Sequence, residues 1–305
     1  MDLGSIGGFS FNKKRYQSFP IQIVHASDFD ERAVEIYNAN FSHKAIVQDV
    51  TKLSASELPD HDILTGGFPC QSFSVAATNP PRLGYTDLRG QLFFEIVRIL
   101  NAKRPKVFIA ENVKGLLSAN QRMAFPLVLQ EFQNAGYFIH WKVLNASSFG
   151  VPQKRERVFI VGFREERHFK KFSFPENERR SLVPLKTVLE QEVGDEFFFS
   201  ERAVHGMRKT KNSALMNKGR AQDPNSPCNT VGAHLAKVSL NSTDPVLFEK
   251  GRYRMFTPRE VARIQSFPDS FKLVGSRSAN YRGLGNAVAP VMMWHVIEQV
   301  LKAVD

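Results

Sequence analysis

The stretch Leu64-Thr65-Gly66-Gly67-Phe68-Pro69-Cys70-Gln71-Ser72-Phe73-Ser74 leaves a short apolar run through two glycines and sets a cysteine directly after a proline. In an open α/β sheet, ligands bind at the loops beyond the carboxyl ends of the strands, so Cys70 stands at such an edge if its neighbours build such a sheet. Over the first 163 residues, short apolar runs at 21–26, 62–65, 107–110, 138–144 and 158–163 alternate with helical patterns. Enough chain separates them for crossovers, and the pattern predicts a parallel α/β sheet. Between Gly90 and Pro105, residues Leu92, Phe93, Ile96, Val97 and Leu100 recur at helical spacing. A helix is expected to bury that stripe and to stop before the Pro105 ring. A cysteine just past a strand is a nucleophile where positive charge lowers its pKa, or a small buried apolar residue where none does; the stretch alone leaves both open.

Two further segments open on the same edge. Ala110-Glu111-Asn112-Val113 puts a carboxylate at the end of another strand, a position that equally suits a helix-start charge. Pro152-Gln153-Lys154-Arg155-Glu156-Arg157 precedes the strand at 158, and strand alternation sends Arg155 and Arg157 to one face. They form either a solvated edge or two guanidinium forks for a carbonyl or phosphate.

Composition narrows the class. With 305 residues, 42% of them hydrophobic and 23% charged, the chain can form a core of one large or two smaller domains and is unlike a disordered polymer. It has no run of 18 apolar residues, and its start, Met1-Asp2-Leu3-Gly4-Ser5, has neither a basic nor an apolar leader region. Neither a membrane span nor an export signal is expected. Two cysteines without a CxxC and eight scattered histidines argue against a disulfide framework or a structural metal. Forty-one Lys+Arg against 30 Asp+Glu give a net charge of +11, a footprint suited to a polyanion. Within 202–238, Arg202, Arg208, Lys209, Lys211, Lys218, Arg220 and Lys237 face one acid, Asp223. This stretch belongs to an irregular region from about 164 to 251, in which Phe169, Phe172, Phe174 and Phe197 to Phe199 mix with charged and Ser/Asn/Pro runs. It reads as a second, smaller domain. Helical order returns at Thr257, at capping-box spacing from Glu260 and with Pro258 in the first helical position. A last helix is expected from Pro290 to about Lys302.

Taken in order, these segments resemble the cytosine-C5 DNA methyltransferase family. Its nucleophile signature Pro-Cys-Gln is matched by Pro69-Cys70-Gln71, its Glu-Asn-Val by Glu111, Asn112 and Val113, and its Gln-x-Arg-x-Arg by Gln153, Arg155 and Arg157. Arg252-Tyr253-Arg254, Thr257-Pro258-Arg259-Glu260 and Gln265-Ser266-Phe267-Pro268-Asp269 are similar to the segment that organises the small domain. Gly285-Asn286-Ala287-Val288, followed by Pro290, matches the final cofactor-side motif. The resemblance spans nearly the whole chain except about 164–251, where the family has its variable target-recognition region.

The resemblance implies an S-adenosylmethionine-dependent methyltransferase with a Rossmann-like α/β sheet and a small, irregular target-recognition domain. Residues 1–165, completed by 283–305, would form the catalytic and cofactor-binding domain; residues 166–282 would form the target-recognition domain with its hinge. Cys70, Glu111, Arg155 and Arg157 become the catalytic set. Cofactor contacts fall to Leu3, Ile6, Gly7, Asp28, Phe29, Asp49, Pro69, Leu92, Asn286 and Val288. DNA contacts fall to Gln71, Ser74, Arg208, Lys209, Lys211 and Thr230, with residues 72–89 as a mobile loop. Double-stranded DNA is the implied partner of a cytoplasmic monomer, with a cognate restriction endonuclease acting separately. A catalytically impaired DNA-binding relic and an RNA cytosine-5 methyltransferase are the alternatives.

The N-terminus departs from the family pattern, in which a buried strand ends in Asp-Leu-Phe-x-Gly-x-Gly-Gly. Aligning Gly7-Gly8-Phe9 puts Leu3 at the aromatic position and Ser5 at the first glycine. Ser5 carries a Cβ where close backbone approach or positive φ favours glycine, and Gly4 is placed to substitute in part. A sheet without most of its first strand is expected to leave that position exposed or filled differently, with weakened stability and cofactor affinity. Either the recorded start is too late or the protein is impaired.

Overall fold

A computed structural model describes residues 1–68, 88–176, 182–209, 220–237 and 244–305. The expectations for Pro69, Cys70, Gln71, Ser74, Lys211 and most of the 72–89 loop lie outside the described residues, as do those for the side chains of Arg208 and Lys209. In chain order the first part comprises α1 (Asp2–Ile6), β1 (Ser27–Asp28), α2 (Glu31–Asn40), β2 (Ile46–Val47), β3 (Ile63–Gly67), α3 (Leu88–Lys103), β4 (Val107–Val113), α4 (Ala124–Asn134), β5 (Phe138–Asn145) and β6 (Glu156–Phe163). Helices α5 (Glu166–Lys171), α6 (Glu201–Lys209), α7 (Pro258–Ile264), α8 (Arg277–Asn286) and α9 (Pro290–Val304) follow, with short strands between α6 and α7.

The central sheet has the order β3-β4-β6-β5. Val107, Phe108, Ile109 and Ala110 of β4 are all buried, as an unbroken apolar run requires when both faces of a strand are covered. β3 and β4 are parallel, but β6 runs antiparallel to both β4 and β5. The expectation of an all-parallel sheet therefore fails at its last strand, because the chain from β5 to β6 carries a short 3-10 turn and the two-residue strand Gln153–Lys154 but no crossover helix. Helix α3 follows its predicted stripe, burying Phe93, Val97 and Leu100, and ends at Lys103 ahead of Pro105.

The cofactor-side edge departs further from expectation. Residues 21–26, read as a strand, carry no ladder; pairing begins only at Ser27–Asp28, parallel to Ile46–Val47. This two-stranded unit does not join the four-stranded sheet. A strand exists through its partner's hydrogen bonds, and among the described residues none lies between β1 and β3 to serve both.

The N-terminal residues form α1 and a hairpin, Phe9–Phe11 with Lys14–Tyr16, instead of a strand and glycine loop. The glycine requirement falls on Gly4 and not on Ser5. A Cβ on Gly4 would stand 2.5 Å from the Pro290 carbonyl oxygen and 2.6 Å from Met293 Cβ, so α1 packs against α9 only through a residue without one. Ser5 is helical and buried, and positive φ occurs instead at Gly7 (69°) and Gly8 (74°).

Helix α9 begins at Pro290 as expected and buries its apolar face in the main core with Phe149, Phe163, Phe256 and Tyr281. Among the described residues one stretch, Arg277–Val304, is apolar and long enough to cross a membrane, but 67% of its apolar 18-residue segment is buried within the fold. Phe172 packs between Phe163 and Phe174, and Phe169 stacks on His140. At α7 the capping box forms, with Thr257 and Glu260 satisfying each other's backbone N–H groups. Glu260 also holds Arg254, whose guanidinium is fully buried, at 2.7 and 2.8 Å.

Candidate active site

Strands β3 and β4 end side by side, with Gly67 opposite Glu111. Glu111 Oε1 accepts from Arg157 Nε at 3.0 Å, and both side chains are nearly buried. Arg157 is placed by β6, whose antiparallel register sets it opposite Val113 and Leu144. Burial raises the Glu111 pKa above the ordinary carboxylate value, while Arg157, Arg155 and the Met1 ammonium pull it back. The carboxyl can therefore hold a proton at a pH where an exposed glutamate has lost it.

Asn112, next in the chain, is buried. Its Nδ2 donates to the Phe68 carbonyl at 2.9 Å, and its Oδ1 accepts from the Val113 N–H at 2.8 Å. The exit of β3 toward Pro69 and Cys70 is thus tied to the exit of β4 carrying Glu111. The Glu-Asn-Val match carried this signal, but the residue types alone assigned Asn112 no task. Replacing Asn112 with Ala should leave the Phe68 carbonyl unpaired and cost about 1–3 kcal/mol in stability. Thermal unfolding beside methyl transfer would read this: a loss of rate with an unchanged melting temperature would contradict the tie.

The structure separates the two arginines that alternation had put on one face. Arg155 lies outside β6, between Gln153–Lys154 and Glu156; its N–H donates to the Gln153 carbonyl, and its own carbonyl accepts from Ala146 N. This break in the strand sends the Arg155 side chain inward, where it is 1% exposed. There its guanidinium donates to the carbonyls of Val231, Gly285 and Ala287 at 2.9–3.0 Å. Burial, reinforced by Arg157, pushes its pKa down to about 9. In this geometry Arg155 clamps three chain segments together.

The same junction uses Gln153. Its Nε2 donates to Gln265 Oε1 at 2.9 Å and its Oε1 accepts from Val231 N at 2.9 Å, while Gln265 donates to the Leu284 carbonyl. Gln153–Lys154 also pairs with Cys228–Asn229, and Thr230 Oγ1 donates to the Lys154 carbonyl at 2.8 Å. A Cβ on Gly285 would come within 2.4 Å of the Gly232–Ala233 backbone, so glycine is obligatory there. Sequence reading gave Gln153 and Gln265 no separate role; the signal was their place in the family motifs.

The expected cofactor residues are dispersed. Asp28 accepts from Asp30 N, and partial desolvation with Asp30 nearby raises its carboxyl pKa. Phe29 beside it is 79% exposed. Asp49 Oδ1 accepts from Thr51 N and Oγ1, and these bonds lower its pKa. Leu92 is half-buried on α3 and Asn286 is exposed at the end of α8, whereas Val288 is buried in the core. Leu3 and Gly7 line an open cavity of about 570 Å³ with Phe41 and Phe271, and Asp28, Asp49 and Glu111 do not border it. Ile6 closes α1. In the basic stretch, Arg220 is buried and donates to the Asp244 carbonyl at 2.9 Å instead of facing solvent.

The model of the C-5 cytosine-specific DNA methylase family matches residues 3–302. The chain belongs to that family. The methylase is 34% identical over 304 residues to the type II methyltransferase M.SsoII of Shigella sonnei, covering 95% of this chain and 76% of that one. It is 35% identical to M.NlaX of Neisseria lactamica over 93% of this chain and 90% of the relative. Its fold matches that of the S. pombe Dnmt2 methyltransferase with a TM-score of 0.73 at 21% identity, covering 94% and 93% of the two chains. A DNA modification methyltransferase encoded in an E. coli prophage has the same fold, with a TM-score of 0.68 at 20% identity. The α/β sheet is thus that of an S-adenosylmethionine-dependent methyltransferase, and the reaction is methylation of DNA cytosine at C5.

Proposed function

We propose that this DNA cytosine-5-methyltransferase acts on a cytosine flipped out of duplex DNA, with Cys70 as the covalent nucleophile, as the modification partner of a restriction endonuclease. The observation that carries the reading is the buried Glu111–Arg157 pair, 3.0 Å apart, at the strand ends from which the chain runs on to Cys70. The C5 carbon of cytosine is a poor nucleophile. Attack of the Cys70 thiolate at C6 moves the C5–C6 π electrons toward C5, and Glu111, holding a proton, delivers it to N3 so that charge does not build on the ring. Arg157 binds O2 and keeps the Glu111 carboxyl in place. After C5 is methylated, its proton passes to water, the C–H electron pair re-forms the C5–C6 double bond and expels Cys70 as the thiolate, and N3 returns its proton to the Glu111 carboxylate.

S-adenosyl-L-methionine, when bound, supplies the electrophilic methyl group. The residue types suit it: Asp28 would offer a carboxylate to ribose hydroxyls, Asp49 one to an adenine amino group, and Phe29 an open ring face beside Asp28. Leu3, Ile6, Gly7, Pro69, Leu92, Asn286 and Val288 complete the proposed set. Extruding the base costs a few kcal/mol, offset by contacts from the small domain and from the loop after Cys70. We assign 1–165 with 283–305 to catalysis and 166–282 to target recognition, with Gln71, Ser74, Arg208, Lys209, Lys211 and Thr230 on DNA.

Transfer of labelled methyl groups to duplex DNA, with tRNA as the parallel substrate, tests the reading. Label on cytosine C5 of DNA supports it; transfer to tRNA alone would replace DNA as the substrate. Substituting Lys209 and Lys211 with Ala is expected to weaken binding to every duplex. Each lost phosphate contact should flatten the logarithmic salt slope by about 0.9. An unchanged slope would place the DNA elsewhere.

A further inference from the structure

Arg98, on α3, reaches across to a segment nearly fifty residues earlier in the chain. Its Nη2 donates to the carbonyls of Val50 at 3.0 Å and Leu53 at 2.8 Å, and its Nε to Glu95 Oε2, one turn back on the helix, at 2.7 Å. The two carbonyls belong to the 3-10 turn Val50–Lys52 and its C-cap, and the N-cap of that turn is Asp49. The carbonyl end of so short a turn has few partners of its own, and a guanidinium can hold several acceptors at a fixed spacing. At the other end of the turn Asp49 Oδ1 is taken by Thr51 N and Oγ1, so Oδ2 is the oxygen left for a ligand.

The link matters because of how the sheet is divided. Pairing of β1 with β2 joins Asp28 to the segment of Asp49, and Gln48 N donates to the Asp28 carbonyl at 3.0 Å. Among the described residues this pair shares no ladder with the four-stranded sheet, so side chains must set its place against α3. Leu53, Leu58 and Ile99 form a small core of their own, with Val50 and Leu64 packed on it. Apolar contact is non-directional, whereas the hydrogen bonds of Arg98 fix a distance and a direction. With Arg98 37% exposed, the ion pair to Glu95 adds little energy; it holds the guanidinium in place. Leu92 lies seven residues before Ile99, two helical turns away on the same face of α3.

We propose that Arg98 is a positioning residue for S-adenosylmethionine: by fastening the turn behind Asp49 to α3, it sets the gap between the unit carrying Asp28 and Asp49 and the helix carrying Leu92. The inference rests on the proposed cofactor roles of Asp28, Asp49 and Leu92. Charge alone predicts the opposite sign. The cofactor's sulfonium is cationic, so removing a nearby guanidinium would by itself favour binding, and weaker binding reports lost position.

Calorimetric titration with S-adenosylmethionine of the wild type, Arg98→Ala, Asp49→Ala and the double variant tests this. Arg98→Ala should bind about tenfold more weakly, the scale of one or two lost hydrogen bonds. With Asp49 already replaced by Ala, the same change should cost less than about twofold, because Arg98 acts through that turn. In methyl transfer Arg98→Ala should raise the KM for the cofactor and leave kcat and the KM for duplex DNA within about twofold, a split that general loosening of the fold would not give. Arg98→Lys keeps the charge without the fork and should fall between wild type and Arg98→Ala; if Arg98→Ala does not fold, the Lys variant carries the same cycle. Unchanged cofactor affinity in the Arg98 variant, or an equal loss with and without Asp49, would overturn the positioning role and leave the assignment of Asp49 standing. Unchanged affinity in Asp49→Ala would instead refute that assignment, and the role of Arg98 with it.

Discussion

Cys70→Ser is expected to lose methyl transfer to duplex DNA by at least about 10⁴-fold, the scale on which removing a covalent nucleophile acts. A serine hydroxyl is not ionised at neutral pH and lacks the nucleophilicity of a thiolate. Duplex binding should survive, because phosphate contacts dominate affinity. The chain holds only one other cysteine, Cys228. It is fully buried, and burial drives its thiol pKa upward, so it cannot take over as a thiolate. Radiolabelled methyl transfer and a gel-shift titration on the same preparation check the two halves. Activity within tenfold of wild type would remove Cys70 from the mechanism.

Arg155→Met should act on stability before chemistry. The guanidinium is 1% exposed and serves the carbonyls of Val231, Gly285 and Ala287, which a thioether cannot satisfy. Three acceptors left unpaired should cost about 3–5 kcal/mol, a melting temperature lower by roughly 5–8 °C for a chain of this size. Arg155→Lys should recover only part of this, since a single ammonium cannot span three carbonyls in a fixed fork. Urea and thermal unfolding measure both variants. A normal melting temperature with lost activity would return Arg155 to the catalytic group.

The contrast between Arg155 and Arg157 marks how far the sequence could be read. Strands β3 and β4, the α3 stripe and the Thr257 capping box depend on local patterning, and they formed where the residues indicated. The break at Arg155 depends on Ala146, Val231 and the end of α8, contacts from distant chain that alternation cannot contain. Residues 21–26 fail as a strand for a related reason: their β-propensity is ordinary, but a ladder needs a partner that local pattern does not supply. The reversal of β6 was not legible, since the 13 residues between the apolar runs at 138–144 and 158–163 are long enough for a crossover, and only the fold shows that no helix forms among them. Asn112 and Gln153 became legible only through their bonds to Phe68 and Gln265.

The covalent step at Cys70 is tested most directly with a duplex whose target cytosine is replaced by 5-fluorocytosine, incubated with the wild-type chain and S-adenosylmethionine. Fluorine at C5 cannot leave as a proton does, so the final elimination is blocked and the enzyme should remain bound through denaturing electrophoresis. Peptide mapping by mass spectrometry should place the adduct on Cys70. Absence of any adduct under conditions where ordinary DNA is methylated, or an adduct on Cys228, would contradict it.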